Sequence, residues 1–117
     1  MITDSLMKLL CRRQMDLKMY LQMRQAKGYM SVDENDALRD SLFECCCEIR
    51  EKMPLLKSRL IPAEQEALTQ AADAIASAAV CLMTGYHDSS LYITVNARQL
   101  TGYLRVLTLS IERLLLG

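Results

Sequence analysis

The side chains with the greatest chemical reach in this 117-residue chain are five cysteines, one histidine and eight methionines. Cys45, Cys46 and Cys47 stand in a row. A metal ion needs ligands that converge, and neighbouring positions on a helix point about 100° apart. Three consecutive thiols on one regular helix therefore cannot close on one ion, and the only histidine is His87. We read them as small apolar fillers with one or two exposed thiols, redox sensing or intermolecular disulfides on oxidation being the alternative. His87 stands beside Asp88, a pairing that can act as a general base. No serine–histidine–acid or metal constellation surrounds it, so a turn contact is expected, with ligand contact or pH sensing as the alternative. The chain holds no P-loop, GxGxxG, HExxH or paired-carboxylate arrangement. We assign no catalytic residue, no metal and no cofactor, and the expectation is that the protein is not an enzyme. Met7, Met15, Met19 and Met23 cluster in the first quarter of the chain. Their flexible, polarizable side chains either complete a core face or re-pack around partners and small apolar ligands.

Four helical patterns must position these groups. The first runs from about Thr3, a plausible N-cap, to Lys27, with Leu6, Leu10, Leu17 and Leu21 on one face. Met7, Cys11, Met15, Met19 and Met23 widen that face, and Gly28 supplies the left-handed position that ends many helices. Ser31 to Glu34 reads as a capping box opening the second helix, whose apolar repeat is Leu38, Leu42, Cys45 or Cys46, Ile49 and Met53. Pro54 predicts an end or kink near Met53, with a further turn or two from Leu55 to Leu60. The third helix starts at Pro62 and ends at Gly85. Its inward set is rich in alanine, which lets helix backbones approach closely. The connection Tyr86 to Val95 begins with the turn-forming His87 to Ser90 and becomes extended, because Leu91 to Val95 is β-branched and aromatic. Asn96 caps the fourth helix with Gln99 as reciprocal partner, and Ala97, Leu100, Leu104, Leu107, Ile111 and Leu114 face inward. Gly102 weakens this helix unless close packing uses the gap. The predicted fold is all-α: one domain over residues 1–117, an antiparallel four-helix bundle with a short extended segment between helices 3 and 4.

Fourteen basic and fourteen acidic side chains cancel, which argues against a strongly basic nucleic-acid domain. The charge is uneven, with six basic and two acidic groups in residues 1–30 against three basic and seven acidic in residues 31–53. Helices 1 and 2 are therefore expected to be antiparallel neighbours whose rims attract. The apolar run Ala74 to Met83 is broken by Ser77 and falls well short of a membrane span. No secretion signal is read at the N-terminus, and the odd cysteine count argues for reduced thiols in the cytoplasm. Surplus apolar surface on helix 1 and at Leu114 to Leu116 predicts a homodimer, in which Tyr92 to Val95 could pair with its symmetry mate.

Four blocks carry a resemblance. Ala26 to Val32, Ala78 to Asp88, Ile93 to Ala97 and Leu107 to Ile111 resemble, in order, the BssR (YliH) family of enterobacterial biofilm-formation regulators. The block from Ala78 to Asp88 is the most specific, and the likeness departs around the triple cysteine and Pro54. The resemblance implies a small cytoplasmic regulator of biofilm formation, tied to indole and autoinducer-2 signalling and to motility. It carries over no catalytic or binding residue. The leading expectation is a non-enzymatic regulator acting through a protein partner or a small apolar signal such as indole. The alternative is a DNA-binding transcriptional regulator. A ligand or partner site is expected between the helix ends near Met19, Met23, Tyr29, Cys81, Tyr86 and His87.

Overall fold

The computed structural model describes residues 4–87 and 91–116. The predicted N-cap Thr3 and the turn residues Asp88, Ser89 and Ser90 lie outside them. The elements in chain order are α1 (Asp4–Lys27), β1 (Met30–Ser31), α2 (Val32–Leu56), α3 (Pro62–Met83), β2 (Tyr86–His87), β3 (Tyr92–Thr94) and α4 (Ala97–Leu116). The chain is mostly helical, with one small sheet. It is elongated, 48 × 23 × 19 Å. α3 packs against both α2 and α4, and α1 closes the ring by packing against the same two helices.

Local chemistry explains most boundaries. Gly28 ends α1 at φ +81°, and its N–H donates to the Arg24 carbonyl. At the start of α2 the Ser31 hydroxyl accepts from the Glu34 N–H at 3.1 Å, and Glu34 accepts from the Ser31 N–H at 3.3 Å. Pro62 occupies the first turn of α3, where the Glu64 carboxylate accepts from the Ile61 N–H at 3.1 Å. Asn96 caps α4 through the Gln99 N–H at 3.0 Å. The Gln99 side chain is instead turned toward the Cys81 thiol, 3.8 Å away.

The end or kink that Pro54 predicts near Met53 is met as a helix end three residues beyond it. The helix runs on to Leu56, and the Lys57 N–H still donates to the Met53 carbonyl at 2.9 Å. A proline so near the C-terminus disturbs only the last turn, and burial of Leu56 and Leu60 anchors the segment beyond it.

One cluster of buried side chains fills the interior. Its largest members include Leu6, Leu10 and Leu17 from α1, Leu42 and Ile49 from α2, Leu68, Ile75 and Leu82 from α3, and Leu100 and Leu107 from α4. Each fully buried leucine contributes about 1.5–3 kcal/mol. Between them run the alanines of α3, Ala67, Ala71, Ala74, Ala78 and Ala79, which admit α2 and α4 at close range. Gly102 finds no such use. Nothing lies within 4 Å of where its Cβ would stand. Gly102→Ala is therefore expected to stabilise the chain by about 1 kcal/mol and raise the thermal midpoint by a few degrees, as read by dichroism.

The sheet was only half legible in the sequence. β3 is its central strand, antiparallel to β1 on one side (Met30 opposite Ile93) and to β2 on the other (Tyr86 opposite Thr94). Both edges of β3 are thus occupied within the chain, which overturns the idea that Tyr92 to Val95 pairs with a symmetry mate. Ile93 and Val95 turn inward and are buried. The sheet gathers the C-terminal ends of α1 and α3 with the N-terminal ends of α2 and α4.

The ion pairs differ from the rim attraction expected between α1 and α2. Arg13–Asp16, Arg39–Asp36 and Lys52–Glu48 each lie within a single helix. Among the described residues, Lys27–Glu34 at 2.9 Å is the pair that links α1 to α2, and it sits at the turn.

Candidate functional site

α1 buries Leu6, Leu10, Leu17 and Tyr20, so the opposite side of the helix faces outward. Met15, Met19 and Met23, four residues apart, form a stripe there, exposed to 54%, 51% and 38%. They do not widen the core as their spacing predicts. Tyr20, not Leu21, is the fully packed residue at that level, and at about 100° per residue Met15, Met19 and Met23 lie on the side of the helix opposite Leu17. Met7 alone of the four packs against the core.

Met19 and Met23 flank an open groove of about 310 Å³ between α1 and α2. Tyr20, Met30 and Leu38 form its apolar floor, and Glu34 and Ser41 bring polar groups to its α2 side. Beneath that floor lies a buried polar chain. The Tyr20 hydroxyl donates to Asn35 Oδ1 at 3.0 Å, and Asn35 Nδ2 donates to the Leu82 carbonyl at 3.1 Å. One amide thereby ties α1, α2 and α3 together under the groove. Burial pushes the Tyr20 phenol up to about 12 against the opposing pull of Arg24, so it stays a neutral donor.

At the sheet end, the Tyr29 ring meets the Tyr92 ring edge-on, with centroids 5.0 Å apart. The Lys27 ammonium lies 5.3 Å from the Tyr29 centroid while it donates to both Glu34 oxygens at 2.9 and 3.1 Å. That hydrogen bond from Lys27, followed by one from Ser31, holds the Glu34 carboxyl below its usual value of 4.5. A depressed folded pKa means stability that is present above the unfolded value and lost as pH falls through the folded one. The urea midpoint of the native chain should therefore drop below about pH 4.5, and Glu34→Gln should flatten that part of the profile. Equal acid sensitivity in both proteins would refute this.

The other expected site residues fall elsewhere. Tyr86 and His87 form β2, exposed, on the far side of β3 from β1. Cys81 is buried and lines a separate groove of about 270 Å³ between α3 and α4, with Thr84, Gln99 and Tyr103. Its thiol lies 3.7 Å from the Asn96 carbonyl, and burial raises its pKa. The structure therefore brings Met19 and Met23 together and joins Tyr29 to their end through Lys27 and Glu34. It does not bring Cys81 into that groove. Sequence reasoning missed Tyr20, Met30 and Asn35. Two signals were available: Tyr20 lies three residues after Leu17 on the buried stripe, and Asn35 is a poor helix former placed inside a helix.

The triple cysteine splits as its helical spacing requires. Cys45 and Cys46 are buried and Cys47 is exposed. Burial pushes the Cys45 thiol up to about 12 and raises that of Cys46, whose sulfur donates to the Ala72 carbonyl at 3.2 Å. Thiols held protonated in this way are poor nucleophiles. Among the described residues, no three His, Cys, Asp or Glu side chains cluster as a metal ion would require. No described helix is long and apolar enough to cross a membrane.

Comparison with known proteins places this geometry in context. Residues 1–116 match a family described as "Biofilm formation protein (YliH/bssR)". The chain is 50% identical over 99 residues to the biofilm regulator BssR of Escherichia coli K12, covering 85% of this chain and 78% of that protein. The proteins of the same name from Escherichia coli O157:H7 and Shigella flexneri show the same identity and coverage. No solved structure matches the chain.

Proposed function

The chain belongs to the YliH/BssR family of biofilm formation proteins, and on that premise we propose that it is a non-enzymatic regulator acting through protein contacts or a small apolar signal. The relatives named biofilm regulator BssR support a role in biofilm regulation. Indole and autoinducer-2 signalling and motility are the processes such a regulator would serve. The observation that carries the reading is the exposed stripe Met15, Met19 and Met23 beside the α1–α2 groove. Methionines in solvent cost hydrophobic free energy unless something covers them, and their flexible thioethers suit a mobile apolar ligand or a partner helix. The four helices are read as an antiparallel bundle, because the sheet joins alternate helix ends. A cytoplasmic setting suits the five free thiols.

The test joins binding to phenotype. Indole is titrated into the full chain while methionine methyl resonances are recorded, and Met19→Glu and Met23→Glu variants are returned to a strain lacking the protein. Selective shifts at Met19 and Met23, with loss of biofilm complementation, support the reading. Full complementation by both variants overturns the assignment of this surface. Duplex-DNA binding that weakens steeply with salt would favour the transcriptional alternative.

A further inference from the structure

α4 carries a second apolar seam. Leu100, Leu107, Ile111 and Leu114 turn inward, whereas Val106, Leu109 and Leu116 turn outward, exposed to 43%, 53% and 88%. Together with Arg113 the outward set is spaced three, four and three residues apart, the period with which one helix faces another along a straight line. Beside this seam lies an open groove of about 720 Å³, bordered on α3 by Asp73, Ala74 and Ser77. The small side chains of Ala74 and Ser77 leave room for an incoming helix to settle close to α3.

The charges on its two sides are opposite. α3 presents the exposed acids Glu66 and Asp73 along its rim. Arg98 and Arg105, seven residues apart and also exposed, lie on the other flank of α4, with Arg105 about 160° round the helix from Tyr103, which borders α3. Asp73, Arg98 and Arg105 form no ion pair with another described residue, whereas Glu66 lies 3.9 Å from Arg113. When two such surfaces face each other with each α4 seated in the other's groove, the basic flank of α4 meets the acidic rim of the other copy's α3. The arrangement is satisfied twice by one two-fold axis, as an isologous interface requires.

We propose that the α3–α4 groove is a homodimer interface, filled by the outward seam of α4 from a second copy of this chain. Val106 and Leu109 lie at its centre, and Asp73 faces Arg105 across it in both directions. This surface is separate from the α1–α2 groove, so the two readings stand or fall independently.

Sedimentation of the full chain up to about 200 μM tests it, with dichroism confirming the fold of each variant. The native chain is expected to be a dimer. Leu109→Glu, at an exposed position, should weaken it by about 100-fold or more, the scale of a central interface residue. Met19→Glu on α1 should leave it dimeric. Asp73→Arg should weaken association, and Arg105→Asp in the same chain should restore it, because the swapped charges again attract. A native chain that stays monomeric throughout, a dimer indifferent to Leu109→Glu, or one broken by Met19→Glu alone would overturn the proposal. Failure of the double charge swap to restore association would overturn the Asp73–Arg105 pairing.

Discussion

Asn35→Ala is expected to destabilise the protein by about 2–5 kcal/mol, the largest loss anticipated from a single polar side chain here. Asn35 is 1% exposed and serves two partners, accepting from the Tyr20 hydroxyl and donating to the Leu82 carbonyl. Deleting the amide leaves both partners in the dry interior, each at a cost of about 1–3 kcal/mol, and opens a small void. Tyr20→Phe removes one bond and should cost less, about 1–2 kcal/mol. The double variant should cost less than the sum, because the two changes break the same bond. Asn35→Asp separates shape from chemistry. It retains the acceptor toward Tyr20 but sets a carboxylate against the Leu82 carbonyl. Burial and that carbonyl both favour the protonated form, so its folded pKa rises. Its deficit should therefore shrink in acid and grow as pH passes the unfolded value near 4. Urea denaturation at several pH values reads all four proteins, and a cost for Asn35→Ala below about 0.5 kcal/mol would reject the network.

Gly85→Ala should destabilise by about 1–3 kcal/mol, through crowding and not through lost contact. A Cβ there would meet Ile93 Cδ1 at 2.7 Å and Ile93 Cγ1 and Val95 Cγ1 at 2.8 Å. Both neighbours branch at Cβ and have few rotamers to retreat into, so β3 itself must lift. Ile93→Ala alone should also be costly, since it leaves a cavity. Placed in the Gly85→Ala chain, it should cost measurably less than the two changes added, because it vacates the space the new methyl needs. Strict additivity by urea denaturation would show that the clash relaxes elsewhere.

The helices were legible in the sequence because their signals are local. Ser31 with Glu34, Gly28, Pro62 and Asn96 each act within one turn of the backbone they terminate, and Leu6, Leu10, Leu42, Leu68 and Leu107 repeat at helical spacing. The sheet was legible only at its centre. β1 and β2 have two residues each, too short to show alternation, and β3 meets them only through the tertiary fold. The candidate groove was half legible. Met19 and Met23 lie one turn apart on the side of α1 away from Leu17, which the step of about 100° per residue already gives; whether Tyr20 or Leu21 completes the buried stripe is a separate choice. Apolarity favours leucine at that choice; the waiting amide of Asn35 on another helix decides for tyrosine. Pro54 marks the end of α2 only to within a turn, because its penalty falls on a turn that the burial of Leu56 and Leu60 holds in place.

The small sheet has a kinetic consequence. Met30 and Ile93 are far apart in the chain, and joining them closes a long loop whose entropy the few strand hydrogen bonds cannot offset by themselves. The clip can therefore fasten only after the helices have docked, which puts it after the folding barrier. Damage to it, as at Gly85, should leave the refolding rate nearly untouched and appear as faster unfolding.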